Sequence, residues 1–206
     1  IRTKRSTKRS VAAIIAATLV ASVLALVSSP ASAAATVTQK RLSGLDRYAT
    51  ASATAEYTYT TATKAIIASG ENYADALTGS ALSGAIASPL LLTAKDALPA
   101  VTAAALGRMM GTNKTVYVLG GEAAVSAGVV TTLTGLGYVV TRISGSDRYA
   151  TAAAVAAKVK ELSTIGSLNG KVTCILASGQ GYADALSAGP LAHSNKMPIL
   201  LTEPGS

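Results

Sequence analysis

One phrase is written twice in this chain. Arg41-Leu-Ser-Gly-Leu-Asp-Arg-Tyr-Ala-Thr-Ala-Ser returns 101 residues later as Arg142-Ile-Ser-Gly-Ser-Asp-Arg-Tyr-Ala-Thr-Ala-Ala, with nine of the twelve positions identical. Two further phrases repeat downstream. Ser69-Gly-Glu-Asn-Tyr-Ala-Asp-Ala-Leu corresponds to Ser178-Gly-Gln-Gly-Tyr-Ala-Asp-Ala-Leu, and Ser88-Pro-Leu-Leu-Leu-Thr to Met197-Pro-Ile-Leu-Leu-Thr. Their offset is 109, so the second copy carries eight extra residues, placed around Ser163 to Lys171 in the loop before a strand. A period near one hundred residues marks a duplicated domain, not a solenoid. The second copy stops at Ser206, before any counterpart of Gly120-Gly121, so the sequence reads as one complete and one truncated repeat of a longer protein.

Within a copy, short apolar runs alternate with Ala-rich stretches of helical length. Ala65–Ser69, Leu90–Thr93, Thr115–Leu119 and Tyr138–Ile143 are predicted strands of four to six residues. They lack a period of two, as expected of strands covered on both faces. Helices are predicted from Tyr48 to Tyr57, after Gly70 through about Ala87, from Asp96 to Met110 with Asp96 as candidate N-cap, and from Glu122 to Leu136. The second copy repeats the start of this series, with a helix over Tyr149–Leu162 and a strand over Val172–Ala177. A brief entry strand is also predicted around Thr36, Thr38 and Leu42. The fold class is therefore α/β: tandem repeats of alternating strands and helices, a parallel sheet flanked by helices.

The charge is unevenly placed. Of 18 Lys and Arg, five lie in the first ten residues; without them the balance is 13 basic against 10 acidic. That excludes a basic stripe of the kind that reads nucleic acid. The basic start precedes an apolar run, Val11 to Val27, and the small residues Ser28-Ser-Pro-Ala-Ser-Ala33. This is the pattern of an export signal cut after Ala33, with retention as an amino-terminal membrane anchor as the alternative. The domain division is then 1–33 signal, 34–140 first repeat and 141–206 second, truncated repeat. The single cysteine, Cys174, corresponds to Ala65 and is expected to be a small core residue.

In a parallel sheet, the loops after Ile143, Ala177, Leu92 and Leu119 all leave at the carboxyl edge, where open α/β sheets bind ligands. The repeated polar residues are therefore expected on one rim. Arg41, Arg47, Arg142 and Arg148 are planar, permanently charged donors suited to phosphate or carboxylate, or else to an ion pair between repeats. Tyr48 and Tyr149, like Tyr73 and Tyr182, either stack on sugar rings or pack. Asp46 and Asp147 cap the helices they precede or pair with a neighbouring Arg, and Asp75 and Asp184 are N-caps or first-turn residues of the helices there. Gly120 and Gly121 end a strand. Such a rim suits an anionic glycopolymer. Catalysis finds little support: the one histidine, His193, corresponds to Gly84, so neither a Ser-His-Asp set nor a metal site is assembled in each copy. No dinucleotide or Walker-type loop is present, and neither cofactor nor metal is called for.

The motifs resemble the cell wall binding repeat 2 family. Its opening motif stands at Arg41–Ala51 and Arg142–Ala152, its Ala-Ser-Gly turn at Ala68–Leu77 and Ala177–Leu186, and its Pro-(Ile/Leu)-Leu-Leu-Thr strand at Pro89–Thr93 and Pro198–Thr202. Its Gly-Gly strand end stands at Val116–Gly121. The resemblance covers everything after the signal segment. It implies a non-catalytic, exported module that anchors a bacterial surface protein non-covalently to the wall, through an anionic secondary polymer. The alternative it implies is the wall-binding part of a hydrolase of the N-acetylmuramoyl-L-alanine amidase type, with the catalytic domain elsewhere. It implies polymer anchoring through Arg41, Arg47, Arg142 and Arg148, with Leu90 to Leu92 and Ile199 to Leu201 acting through the core or the inter-repeat interface, and it locates the protein at the cell surface; the residues themselves add Tyr48 and Tyr149 as polymer contacts. Self-association between repeats is a further expectation.

Overall fold

A computed structural model describes residues 38–111 and 114–203. The predicted signal segment lies outside the described residues. The chain divides into two units after Arg41, and the strands and helices among the described residues all belong to the second, from Leu42 onward.

The first copy runs α1 (Arg47–Thr58), β1 (Lys64–Ser69), α2 (Tyr73–Ile86), β2 (Leu90–Thr93), α3 (Ala100–Met109), β3 (Thr115–Leu119) and α4 (Ala127–Gly135), and β4 (Val139–Ile143) carries the chain into the second copy. The second runs α5 (Arg148–Leu162), β5 (Ser167–Leu168), β6 (Lys171–Val172), β7 (Ile175–Ser178), α6 (Ala183–Asn195) and β8 (Ile199–Thr202). Strands β2-β1-β3-β4 form one parallel sheet in that order. β7 and β8 form a separate parallel pair.

Both faces of the larger sheet are covered, which explains its unbroken apolar runs. Along β1, Ala65 and Ile67 enter one core with Leu106, Val129 and Leu133 from α3 and α4. Ile66 and Ala68 enter the other, with Leu82 of α2 and Val155 of α5. This second core continues into the second copy through Ala177, Ala192 and Ile199, so one apolar cluster spans both repeats.

α2 is the shared layer. It is built from Ala, Gly and Ser because it is packed on two sides. A Cβ at Gly79 would come 2.6 Å from Leu119 and 2.8 Å from Leu90 of the sheet. A Cβ at Gly84 would come 1.9 Å from the carbonyl oxygen of His193 on α6. Gly84 and His193 are counterparts in the two copies. So are Ser80 and Gly189, where the hydroxyl lies 3.5 Å from the Cβ position, and Tyr73 and Tyr182, whose rings meet at 5.8 Å. The two helices therefore run side by side, parallel and in register. Each ends in a left-handed residue, Ala87 at φ 46° or Lys196 at φ 55°, before the chain turns into β2 or β8.

Several predicted elements are shorter than expected. α3 begins after Pro99 rather than at Asp96, because Pro99 is extended (ψ 140°) and the Thr93 hydroxyl holds the carbonyls of Ala94 and Ala97 in a loop. α4 begins at Ala127, not Glu122: Ser126 is extended (ψ 163°) and its N–H bonds Lys95 across the loop. The eight extra residues are not a plain loop. They contribute to the antiparallel pair β5–β6, which turns at Asn169-Gly170 and shortens the predicted Val172–Ala177 strand to begin at Ile175. No strand forms over residues 38–44. Cys174 is exposed rather than buried. Its counterpart Ala65 lies beneath α3 and α4, and the described residues of the second copy supply no such helices.

Candidate functional site

The order β2-β1-β3-β4 has a consequence for ligand position. The chain passes from β1 outward to β2, then returns to place β3 on the other side of β1. The connections from β1 and β3 thus leave in opposite directions, and a crevice opens between their carboxyl ends. A cleft of about 500 Å³ lies there. Ser69, Glu71, Asn72 and Asp75 line it from the β1–α2 turn, Gly121 from the end of β3, Lys95 from the loop after β2, and Ser146 to Arg148 from the second motif.

The Ser-Gly turn is held from within. The Ser69 hydroxyl accepts the N–H groups of Glu71 and Asn72 at 3.1 and 3.2 Å, and Asn72 caps α2 through Ala74. Glu71 accepts the Lys95 N–H at 3.0 Å, tying the loops after β1 and β2 together. Gly120 adopts φ 93°, and a Cβ there would lie 2.3 Å from Oδ2 of Asp75, so only glycine suits that position.

The repeated motif is a latch built the same way twice. Asp46 and Asp147 cap α1 and α5, accepting the N–H of Ala49 at 2.8 Å and of Ala150 at 2.7 Å. The Thr50 and Thr151 hydroxyls each accept an N–H, from Gly44 and Gly145, at 3.0 Å. Arg47 donates to the carbonyl of Gly70, and Arg148 to that of Gly179 at 2.6 Å. Tyr48 and Tyr149 lie against those same glycines, where a Cβ would strike the ring. Tyr149 also accepts a hydrogen bond from Gln180 at 3.0 Å. Each motif loop is thereby fastened to the Ser-Gly turn of its own copy. Arg142 differs: from β4 it donates at 2.6 Å to the carbonyl of Gly120, stitching β4 to the end of β3. Arg41 is exposed and belongs to the first unit.

Arg148 faces two ways. Its guanidinium lies 5.9 Å from the ring centre of Tyr73 and 3.5 Å from that hydroxyl, while its charge reaches Asp75. Asp75 is 6% exposed. Burial pushes its carboxyl above the ordinary value of 3.8, and Arg148 opposes the rise. Asp147 is held below that value, chiefly by the Ala150 N–H. Asp184, the counterpart of Asp75, is exposed and accepts the Ser178 N–H at 3.3 Å. The site thus joins Asp75, Asp147, Arg148 and Gly121 around one cleft, with Arg142 bonded to Gly120 beside it. Arg47 and Tyr48 serve the Gly70 turn, and Tyr149 and Asp184 the smaller sheet.

Sequence reasoning gave no role to Lys95, Glu71 or the motif threonines. Thr50 and Thr151 had a usable signal, since both are invariant between the copies. Lys95 had only its place in a loop after a strand. No group of three or more His, Cys, Asp or Glu among the described residues is arranged to hold a metal.

The family model for cell wall binding domain 2 matches residues 41–130 and 142–206. Over 163 residues the chain is 38% identical to N-acetylmuramoyl-L-alanine amidase LytC of Bacillus subtilis, a match covering 79% of this chain and 31% of the amidase. Among solved structures it is similar to Cwp8 of Clostridium difficile, with a TM-score of 0.69, 30% identity, and coverage of 79% of this chain and 27% of that one. For Cwp6 of the same organism the TM-score is 0.70 at 26% identity, covering 83% and 27%. The chain therefore spans about a third or less of these relatives.

Proposed function

The chain belongs to the cell wall binding domain 2 family, and from that premise we propose that it is a non-catalytic, exported module that holds a bacterial surface protein to the wall through an anionic glycopolymer. Residues 1–33 act as the export signal, and 34–140 and 141–206 as the two repeats. One observation carries the reading. Arg148 sits at the rim of the switch-point cleft with its guanidinium already oriented by the Gly179 carbonyl. A guanidinium has five N–H donors, and one such bond leaves others to meet a phosphate or carboxylate. Arg142, bonded beside it to Gly120, supports the same role, as does Arg47 on the neighbouring turn. Arg41, Tyr48 and Tyr149 complete the proposed contacts.

The test is retention on isolated walls. The purified chain is expected to sediment with Gram-positive walls, less so as salt rises, because the attraction is partly screened. Stripping the anionic polymer should abolish retention; unchanged binding to the bare peptidoglycan would overturn the polymer reading. A second reading rests on the amidase similarity: the chain is the wall-binding part of a wall hydrolase. The complete reading frame decides that, by the presence or absence of a catalytic domain. Self-association through the repeats is a separate proposal, checked by sedimentation velocity.

A further inference from the structure

The walls of the switch-point cleft carry both signs of charge. Glu71, Asp75 and Asp147 line it with Lys95 and Arg148, three carboxylates and two cations, and its other lining residues are uncharged. An anionic group entering it would be drawn to the two cations while the carboxylates beside them favour a positive one, so the cleft suits a ligand that carries both signs.

Two of the three carboxylates are already engaged. Glu71 accepts the Lys95 N–H. Asp147 caps α5 with one oxygen and takes the Ser146 hydroxyl, at 3.1 Å, with the other. Asp75 is different. It is more than nine-tenths buried, it lines the cleft, and its carboxylate is met there by the charge of Arg148. A largely buried carboxylate that opens only onto a cleft gains when a ligand there brings it a hydrogen-bond donor. The cations Arg148 and Lys95 line the same cleft and ask for the opposite charge.

We propose that this cleft selects a zwitterionic unit of the wall polymer, a sugar bearing a free amine beside a phosphate or carboxylate, with the ammonium donating to Asp75 and the anionic group held by Arg148 and Lys95. A volume of about 500 Å³ lies within the range of small-ligand sites. The inference rests on the wall-polymer reading and names the chemistry that its site prefers. Asp75 is a specificity residue in this scheme, and Arg148 the anion-binding one.

Defined sugars test it whatever the identity of the polymer. The full chain is titrated by calorimetry or NMR with glucosamine 6-phosphate and with N-acetylglucosamine 6-phosphate, which differ in the charge of the amine. The expected result is a preference of about tenfold for the free amine, lost in Asp75→Asn while a thermal melt shows that variant folded. Equal affinity for the two sugars, a preference that survives Asp75→Asn, or no binding of either at millimolar concentration overturns the inference. Wall retention is measured on the same preparation. If it persists while the sugar preference fails, only the zwitterion scheme falls; if retention itself is absent, the wall-binding reading falls with it.

Discussion

The two copies share a latch and differ in nearly everything around it. Asp46 and Asp147 cap their helices in the same geometry, and Arg47 and Arg148 close on equivalent glycine carbonyls. Yet Ile67 of β1 is fully buried, while its counterpart Leu176 of β7 is 67% exposed. Asp75 is buried and its counterpart Asp184 is not. The difference comes from the elements that succeed each phrase along the chain. In the first copy α3, β3 and α4, followed by β4, close over one face of the sheet and one end of it. Local hydrogen bonds reproduce themselves wherever the phrase occurs; burial belongs to the assembly.

That contrast is open to direct attack. Ile67→Ala should cost about 3 kcal/mol, by lost transfer energy plus a cavity, whereas Leu176→Ala should change stability by no more than about 0.5 kcal/mol. Chemical denaturation of both variants measures it, and equal losses would mean that the open face of β7 is covered in solution. Next in size is the seam. Gly84→Ala places a methyl against the His193 backbone and should cost about 2 kcal/mol by pushing α2 from α6. Gly107→Ala, in α3 with nothing near the new methyl, should instead gain about 0.5–1 kcal/mol. A seam variant as stable as the parent would show that the helices can separate without loss.

A smaller effect concerns pH. The carboxyl of Asp75 is raised in the folded chain, so the fold binds more protons than the unfolded state above pH 3.8. Stability attributable to this group therefore falls as pH climbs from 3.8 through the folded value. Asp75→Asn should melt higher than the parent at neutral pH and equal it below 3.8; a parent that outlasts the variant at neutral pH contradicts this. The matching change Asp184→Asn, at an exposed position where the amide oxygen can still accept the Ser178 N–H, should bring no such gain. Smallest are the caps. Asp46→Ala and Asp147→Ala should each lower the melting temperature slightly and by similar amounts, since the capping geometry is the same. For Asp147 the stabilisation is present above the ordinary carboxyl value and fades as acid protonates the group.

Much of this was legible from residues alone. The repeat predicted the duplicated latch, and the unbroken apolar runs predicted a sheet covered on both sides. Parallel strands put the motif loops on one edge, and the family comparison agrees with the motif-based resemblance. Helix starts were less legible, because Asp96 and Glu122 look like first-turn residues while Pro99 and Ser126, a few positions on, are extended. Cys174 was misplaced because its phrase resembles that of Ala65, whereas it stands just before β7 and Ala65 lies within β1 under α3 and α4.

By itself, then, the sequence determined what local chemistry can enforce: which segments are strands, where glycine is needed, and which Asp and Arg close each loop. These depend on groups near one another in the chain or on a phrase that recurs intact. Only the tertiary structure decided that α2 is the layer shared by the repeats, that the switch point lies between β1 and β3, and that Asp75 lies buried in its cleft while Asp184 stands in solvent. Those facts are set by strand order and by which elements pack over which, and the same residues in the same phrase acquire different surroundings from them.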